Sequence, residues 1–249
     1  MSAAVQPYHP LNTLIPVADD LWVVNGPILR FRFAGVGLPF PTRMTVIRLG
    51  RGRLWLHSPT EPTPGLRAEV DALGPVGHLI APNKLHCWWV GDWKAACPEA
   101  LAYAAPGARE RAATRRVAFD LDLGAQPPAA WADEIEQVLV PGSFMTEVVF
   151  FHRRSRTLIL TDLIENFEPG KVRSAWLRLL MRLGGVMHPR GSTPRDLRLT
   201  FLGHRQAMRR AVATMIGWQP QHVIVAHGRC YHENAQGELE RAFRWAARS

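Results

Sequence analysis

Glu147-Val-Val-Phe-Phe-His152, an Arg153-Arg-Ser-Arg156 turn and Thr157-Leu-Ile-Leu-Thr-Asp162 read as a hairpin; a helix follows near His204 to Ile216, then the strand His222-Val-Ile-Val-Ala-His-Gly228. The same order occurs earlier. Met44-Thr-Val-Ile-Arg-Leu49, a Gly50-Arg-Gly-Arg53 turn and Leu54-Trp-Leu-His57 precede a helix near Leu66 to Leu73 and the strand His78-Leu-Ile-Ala-Pro-Asn83. Both copies run hairpin, loop, helix, strand. A strand that leaves a helix and stops in a polar or glycine-containing loop delivers side chains to the carboxyl edge of a sheet, where α/β proteins place their ligands. Asp162, His227 and the segment Asn83-Lys-Leu-His86 are therefore the candidate functional residues.

Working outward, most strand runs are apolar almost throughout, as expected of strands covered on both faces. Leu66, Val70 and Leu73 share one helical face, as do Met208, Val212 and Met215, and as Trp131, Ile135 and Val138 are predicted to do. Leu21-Trp-Val-Val24 opens the sheet, Pro39-Phe-Pro-Thr42 is predicted to be a loop, and Leu239 and Phe243 begin a closing helix. The expected organisation is one domain: an N-terminal arm over 1–20, a first half over 21–125 and a second half over 126–249 with an insertion at 163–202, the stretch 105–130 linking the halves. Two sheets back to back with helices outside satisfy this pattern.

A chain of 249 residues with 47% hydrophobic content can bury an ordinary α/β core. No run approaches the length of a membrane span and the N-terminus lacks a signal-peptide pattern, so a cytoplasmic protein without a transmembrane segment is expected. Three cysteines, Cys87, Cys97 and Cys230, without paired spacing, indicate neither a disulfide framework nor a cysteine zinc knuckle. The net charge of +9 is spread over scattered arginines with no nucleic-acid-binding motif, and nucleic acid is not expected as a partner. The segment Lys171 to Leu183 places Val172, Trp176, Leu179, Leu180 and Leu183 on one face and Lys171, Arg178 and Arg182 on another. It is expected to pack its apolar face on its own domain; a helix lying on a membrane surface, or a lid, is the other reading.

The doubled unit, with Asp162 ending one strand and His227 another, resembles the metallo-β-lactamase fold superfamily from about Leu21 to Gly228. The strings Phe40-Pro-Thr-Arg-Met44, Leu56-His-Ser-Pro59, Ala81-Pro-Asn-Lys-Leu-His86 and Thr161-Asp-Leu-Ile-Glu-Asn166 are similar to an uncharacterised branch of it. The resemblance implies a four-layer αβ/βα sandwich of two similar halves, with a metal site at the rim between the sheets. It also exposes a loss. The superfamily's H-x-H-x-D-H signature, laid on Pro82-Asn-Lys-Leu-His-Cys87, puts Pro82 and Lys84 at its first two histidines, His86 at the aspartate and Cys87 at the last histidine. A further superfamily histidine follows a Pro-Gly; here Pro141-Gly142 precedes Ser143.

One ligand set is thus gone, and the surviving set implied is His86, Cys87, Asp162 and His227, suited to one divalent zinc, iron or manganese ion. Asp162 and Lys84 are the catalytic candidates, Lys84 as a fixed charge for a substrate anion or developing oxyanion. Asn83, Glu165 and Asn166 are candidates to tie loops together, and His57 to support the rim. Ser143 lacks a nucleophile elbow. The expected function is a metal-dependent hydrolase of a small molecule with a single-metal site; the alternative is a metal-free, inactive member that binds a ligand or protein.

Overall fold

The computed structural model describes residues 4–33, 36–113 and 117–247. β1 (Ile15–Ala18), β2 (Leu21–Phe33), β3 (Val36–Arg48), β4 (Leu54–His57), β5 (Val76–Ala81), β6 (Leu101–Ala104) and β7 (Leu121–Asp122) form a seven-stranded sheet in that order. β8 (Ile135–Val140), β9 (Glu147–His152) and β10 (Thr157–Ile159) join β12 (His222–Ile224) in a four-stranded sheet ordered β12-β10-β9-β8. β11 (Glu165–Asn166) and β13 (His227–Gly228) make a two-stranded parallel pair. The helices are α1 (Pro64–Leu73), α2 (Val90–Ala96), α3 (Ala108–Ala113), α4 (Ala175–Gly184), α5 (Arg195–Leu199), α6 (Arg205–Gly217) and α7 (Ala235–Ala247).

The doubled unit is present as two folded copies. β3 and β4 are antiparallel, α1 crosses over, and β5 returns parallel to β4. β9 and β10 are antiparallel, α6 crosses over, and β12 returns parallel to β10. Local chemistry sets the helix ends: the Thr63 side chain accepts from the Leu66 N–H ahead of Pro64, and Gly185, at φ 79, closes α4. Three apolar cores then order the layers. Leu66, Val70, Val90, Trp93 and Ala108 join α1, α2 and α3 to the outer face of the first sheet. Met208, Val212, Met215, Leu239 and Phe243 join α6 and α7 to the outer face of the second. Between the sheets lie Ile47, Trp55, Tyr103, Trp131, Phe150 and Ile159. The fold is a four-layer αβ/βα sandwich.

Four local expectations need correction. Trp131, Ile135 and Val138 do not share a helix: Trp131 enters a turn and Ile135–Val140 is β8, paired along its length with β9. A four-residue spacing suits either period, and the β-branched run Ile-Glu-Gln-Val-Leu-Val favours the strand. Pro39-Phe-Pro-Thr42 lies inside β3 rather than in a loop. β4 covers only Thr45–Arg48 of β3, so the N–H groups missing at Pro39 and Pro41 fall where no neighbour needs them. The N-terminal arm contributes the edge strand β1 and buries Val5 against Val172. The stretch 105–130 is more than a linker, because α3 packs under the first sheet and β7 extends it; residues 114–116 lie outside the described residues.

The helix expected over Lys171 to Leu183 also differs. It starts at Ala175, after a single turn at Pro169–Lys171, and only Val172 of the five apolar positions is buried. Leu177 and Met181 make the inward contact instead, while Trp176, Leu179, Leu180 and Leu183 face solvent.

Candidate metal centre

Asp162 follows β10 by three residues, His227 opens β13, and His86 sits in the turn after β5. Each copy of the repeated unit therefore delivers its strand ends to one rim. One ligand atom from each of His86, Asp162 and His227 lies within 4.8 Å of the other two, and all three residues are buried. His227 Nε2 is 3.1 Å from Asp162 Oδ1, and His86 Nε2 is 3.4 Å from either carboxylate oxygen. Donors about 2.1 Å from a tetrahedral ion stand roughly 3.4 Å apart, so these spacings match a shared ion.

Proton placement makes the match sharper. His227 Nδ1 donates to the Pro41 carbonyl at 2.7 Å, and a carbonyl can only accept. In a neutral His227, Nε2 then carries a lone pair facing a carboxylate oxygen. That contact is repulsive unless a cation stands between them or the imidazole is protonated. Burial disfavours the charged His227, but the Asp162 carboxylate outweighs it and raises the pKa above the ordinary histidine value. Burial likewise works against the Asp162 charge, and His86 and His227 reverse it, holding the carboxyl well below the usual carboxylate range.

The neighbouring residues fix these three. Asn83, fully buried, donates from Nδ2 to Asp162 Oδ2 at 2.7 Å and to Thr161 Oγ1 at 2.9 Å, while its Oδ1 accepts the N–H groups of Leu85 and His86. Ser58 Oγ lies 2.7 Å from His86 Nδ1. Glu147 accepts from the backbone N–H groups of Thr161 and Asp162 at 2.6 and 2.9 Å, and burial followed by the nearby Asp162 charge pushes its carboxyl up to about 7. The Arg43 guanidinium donates to the carbonyls of Val225 and Gly228, clasping the strand end that carries His227. At Gly228, φ is 108° and an added Cβ would collide with the Asn166 carbonyl, so glycine alone permits β13 to approach β11.

Of the expected residues, the fold brings together His86, Asp162 and His227, with Asn83 as their support. Cys87 is not in the group: its thiol donates to the Lys84 carbonyl at 3.6 Å and it packs in the core beneath the first sheet, because adjacent residues of a turn point to different sides. Lys84 does not line the cleft; its ammonium sits 3.9 Å from the centre of the Phe144 ring, which does. His57 stacks on Trp55 in the inter-sheet core, near enough to His86 for the two rings to oppose each other's charge. Asn166 does tie loops, donating to the Arg229 carbonyl. Ser58, Glu147 and Arg43 are the residues that sequence reasoning missed. Only Arg43 and Ser58 carried a signal, as members of strings similar to the superfamily branch.

The three donors open on a cleft of about 260 Å³. Its walls are mainly apolar: Leu29 pairs with Phe40 and Phe31 with Leu38 across the β2–β3 ladder, and Trp88 and Phe144 line it as well. Glu165 adds a carboxyl that burial pushes up to about 8.

A family model described as a domain of unknown function, DUF4336, matches residues 34–178, more than half of the chain. The chain belongs to the DUF4336 family. No curated protein matches it. The DUF4336 chain is similar over its length to a metallo-β-lactamase from Pontibacter korlensis, with a TM-score of 0.59 and 11% identity, covering 95% of this chain and 99% of that one. A metallo-β-lactamase from Pseudomonas aeruginosa in its mono-zinc form gives 0.62 at 13% identity, with 98% and 96% covered. A metal-soaked flavodiiron core from Synechocystis gives 0.64 at 12% identity, covering 98% of this chain and 62% of that one. At such identities the likeness establishes the fold: this DUF4336 protein has the metallo-β-lactamase fold.

Proposed function

We propose that the protein is a metal-dependent hydrolase with one divalent ion, zinc, iron or manganese, held by His86, Asp162 and His227. The observation that carries this reading is the convergence of two imidazoles on one carboxylate, each at tetrahedral-edge spacing from it, in an apolar cleft. A bound divalent ion supplies Lewis acidity, which lowers the pKa of water and polarises a carbonyl or phosphoryl oxygen. The chain's own residues do the rest. Pro41 fixes the His227 tautomer so that Nε2 points at the centre, Ser58 orients His86, and Asn83 holds one oxygen of Asp162 and leaves the other directed at both histidines. Leu29, Phe31, Leu38 and Phe40 exclude water from one side of the cleft and favour a small molecule with an apolar portion. Esters, lactones, amides and phosphoesters are the bond classes this chemistry serves.

A second reading rests on a different observation. The same distances describe a His–Asp–His ion group that needs no metal, and Pro82 and Lys84 occupy positions where the superfamily carries histidines. In that case the cleft binds a ligand and catalyses nothing. Elemental analysis of untagged protein separates the two. Near-stoichiometric metal that disappears in folded Asp162→Ala and His227→Ala variants supports the metal centre, and hydrolysis that stops with chelation and returns with the ion supports the enzyme. Absence of bound metal after reconstitution removes the hydrolase and leaves the binding protein.

A further inference from the structure

The exposed face of α4 has no partner within the described residues. Trp176, Leu179, Leu180 and Leu183 are 66%, 46%, 41% and 59% exposed, and their spacing aligns them as one stripe along the helix. A soluble surface rarely gathers four large apolar side chains without use. The opposite edge of α4 is well anchored: Leu177 and Met181 pack on Val5, Phe167, Val172, Val186 and Met187, Ser174 caps the first turn, and Gly185 closes the last. The stripe is therefore displayed by a fixed helix rather than by a frayed one.

Charge decides what fits it. From Lys171 to Arg195 the chain carries six basic residues, Lys171, Arg173, Arg178, Arg182, Arg190 and Arg195, and no aspartate or glutamate. Arg178 and Arg182 lie on the α4 flank beside Leu179 and Leu183. A second copy of this chain docked on the same face would bring like charges together, a juxtaposition that opposes association. An anionic lipid surface answers both features: the headgroups attract the arginines, and the acyl boundary accepts the leucines, with Trp176 at the border.

We propose that α4 is a membrane-surface helix that docks this protein on anionic lipid. The helix has ten residues and lies in the interface plane without crossing the bilayer. Its inward side packs on the same small core as Phe40, which also lines the cleft, so the docking helix and the cleft rest on a common support. The proposal does not depend on a bound metal.

The test is co-sedimentation of the full chain with phosphatidylcholine vesicles, with and without phosphatidylglycerol, at low and high salt. The expected result is binding to the phosphatidylglycerol vesicles that weakens with salt. Leu179→Glu with Leu183→Glu should weaken it about ten-fold or more, and Arg178→Glu with Arg182→Glu should abolish the preference for anionic lipid. Circular dichroism checks that each double variant stays folded, which their surface positions favour. No binding to anionic vesicles at low salt overturns the proposal, as does unchanged binding by the leucine variant. Sedimentation velocity supplies a third arm: a dimer that the leucine variant dissolves, without lipid binding by the wild type, would assign the face to a second copy instead.

Discussion

The two copies of the repeated unit share a backbone plan and divide the chemistry unequally. In the first, β4 runs out into Ser58 and β5 into Asn83; in the second, β10 runs out into Asp162 and β12 leads to His227. Ser58 and Asn83 hydrogen-bond to the site, whereas Asp162 and His227 form it. Only His86, from the turn after β5, joins them from the first copy. Equivalent strand ends deliver a residue to the same rim; whether that residue supports the cluster or belongs to it depends on its side chain. The connections differ too. In the first copy Ser58 is followed within a few residues by α1, but the second interposes residues 163–204, where α4 displays its apolar stripe.

The sharpest way to break this comparison is at Gly228, next to His227 in the second copy. Gly228→Ala must place a Cβ against backbone at a left-handed φ, and a cost on the order of 4 kcal/mol is expected, read as a lowered urea midpoint. Gly52→Ala, in the hairpin turn of the first copy, has φ 78° but open space around it, and a cost of only about 1 kcal/mol is expected. Equal losses would remove the asymmetry.

The division of labour predicts a graded metal response. Asp162→Ala should abolish binding, while Asn83→Ala and Ser58→Ala should leave one site with roughly 10- to 100-fold weaker affinity, measured by competition with a chromogenic chelator. Asn83→Ala should also cost about 1–3 kcal/mol, since the N–H groups of Leu85 and His86 lose their acceptor. Loss of stoichiometry in Ser58→Ala would make the first copy more than a support.

The smallest expected effect is on acid stability, and it compares one histidine per sheet. Burial lowers His78 of the first sheet and His152 of the second to about 4. Between that value and the ordinary 6.5 the unfolded chain binds more protons, so stability is fully present above about pH 6.5 and falls as pH drops toward 4. The urea midpoint at pH 5 should lie below that at pH 7. His78→Gln and His152→Gln should each narrow the gap, by on the order of 1 kcal/mol. An unchanged gap in one variant would show that its histidine keeps its ordinary titration.

Much of the fold was legible because a repeated unit leaves a repeated pattern: apolar strands, glycine or arginine turns, and helices with i, i+4, i+7 faces. Asp162 and His227 were legible for a related reason, standing where apolar runs end. The failures share a cause as well. Trp131 and Ile135 have a spacing that either period accepts, and only pairing with β9 selects the strand, which turns Ile135 and Val138 to opposite faces. Pro39 and Pro41 read as breakers until the free edge of β3 makes their missing donors harmless. Lys84 and Cys87 came from the superfamily signature laid along a turn, and the fold sets the Lys84 ammonium over Phe144 and the Cys87 thiol against the Lys84 carbonyl.

By itself, the amino-acid order determined the α/β layering, the doubled unit and the strand ends that carry Asp162 and His227, because period and chain breaks are local properties. Only the tertiary structure decided that Ser58, Glu147 and Arg43 support the centre, that Lys84 lies over Phe144, and that the apolar side of α4 meets solvent. Each of those depends on which surface another part of the chain covers, and burial and hydrogen-bond partners between distant segments are not written in the spacing of either segment alone.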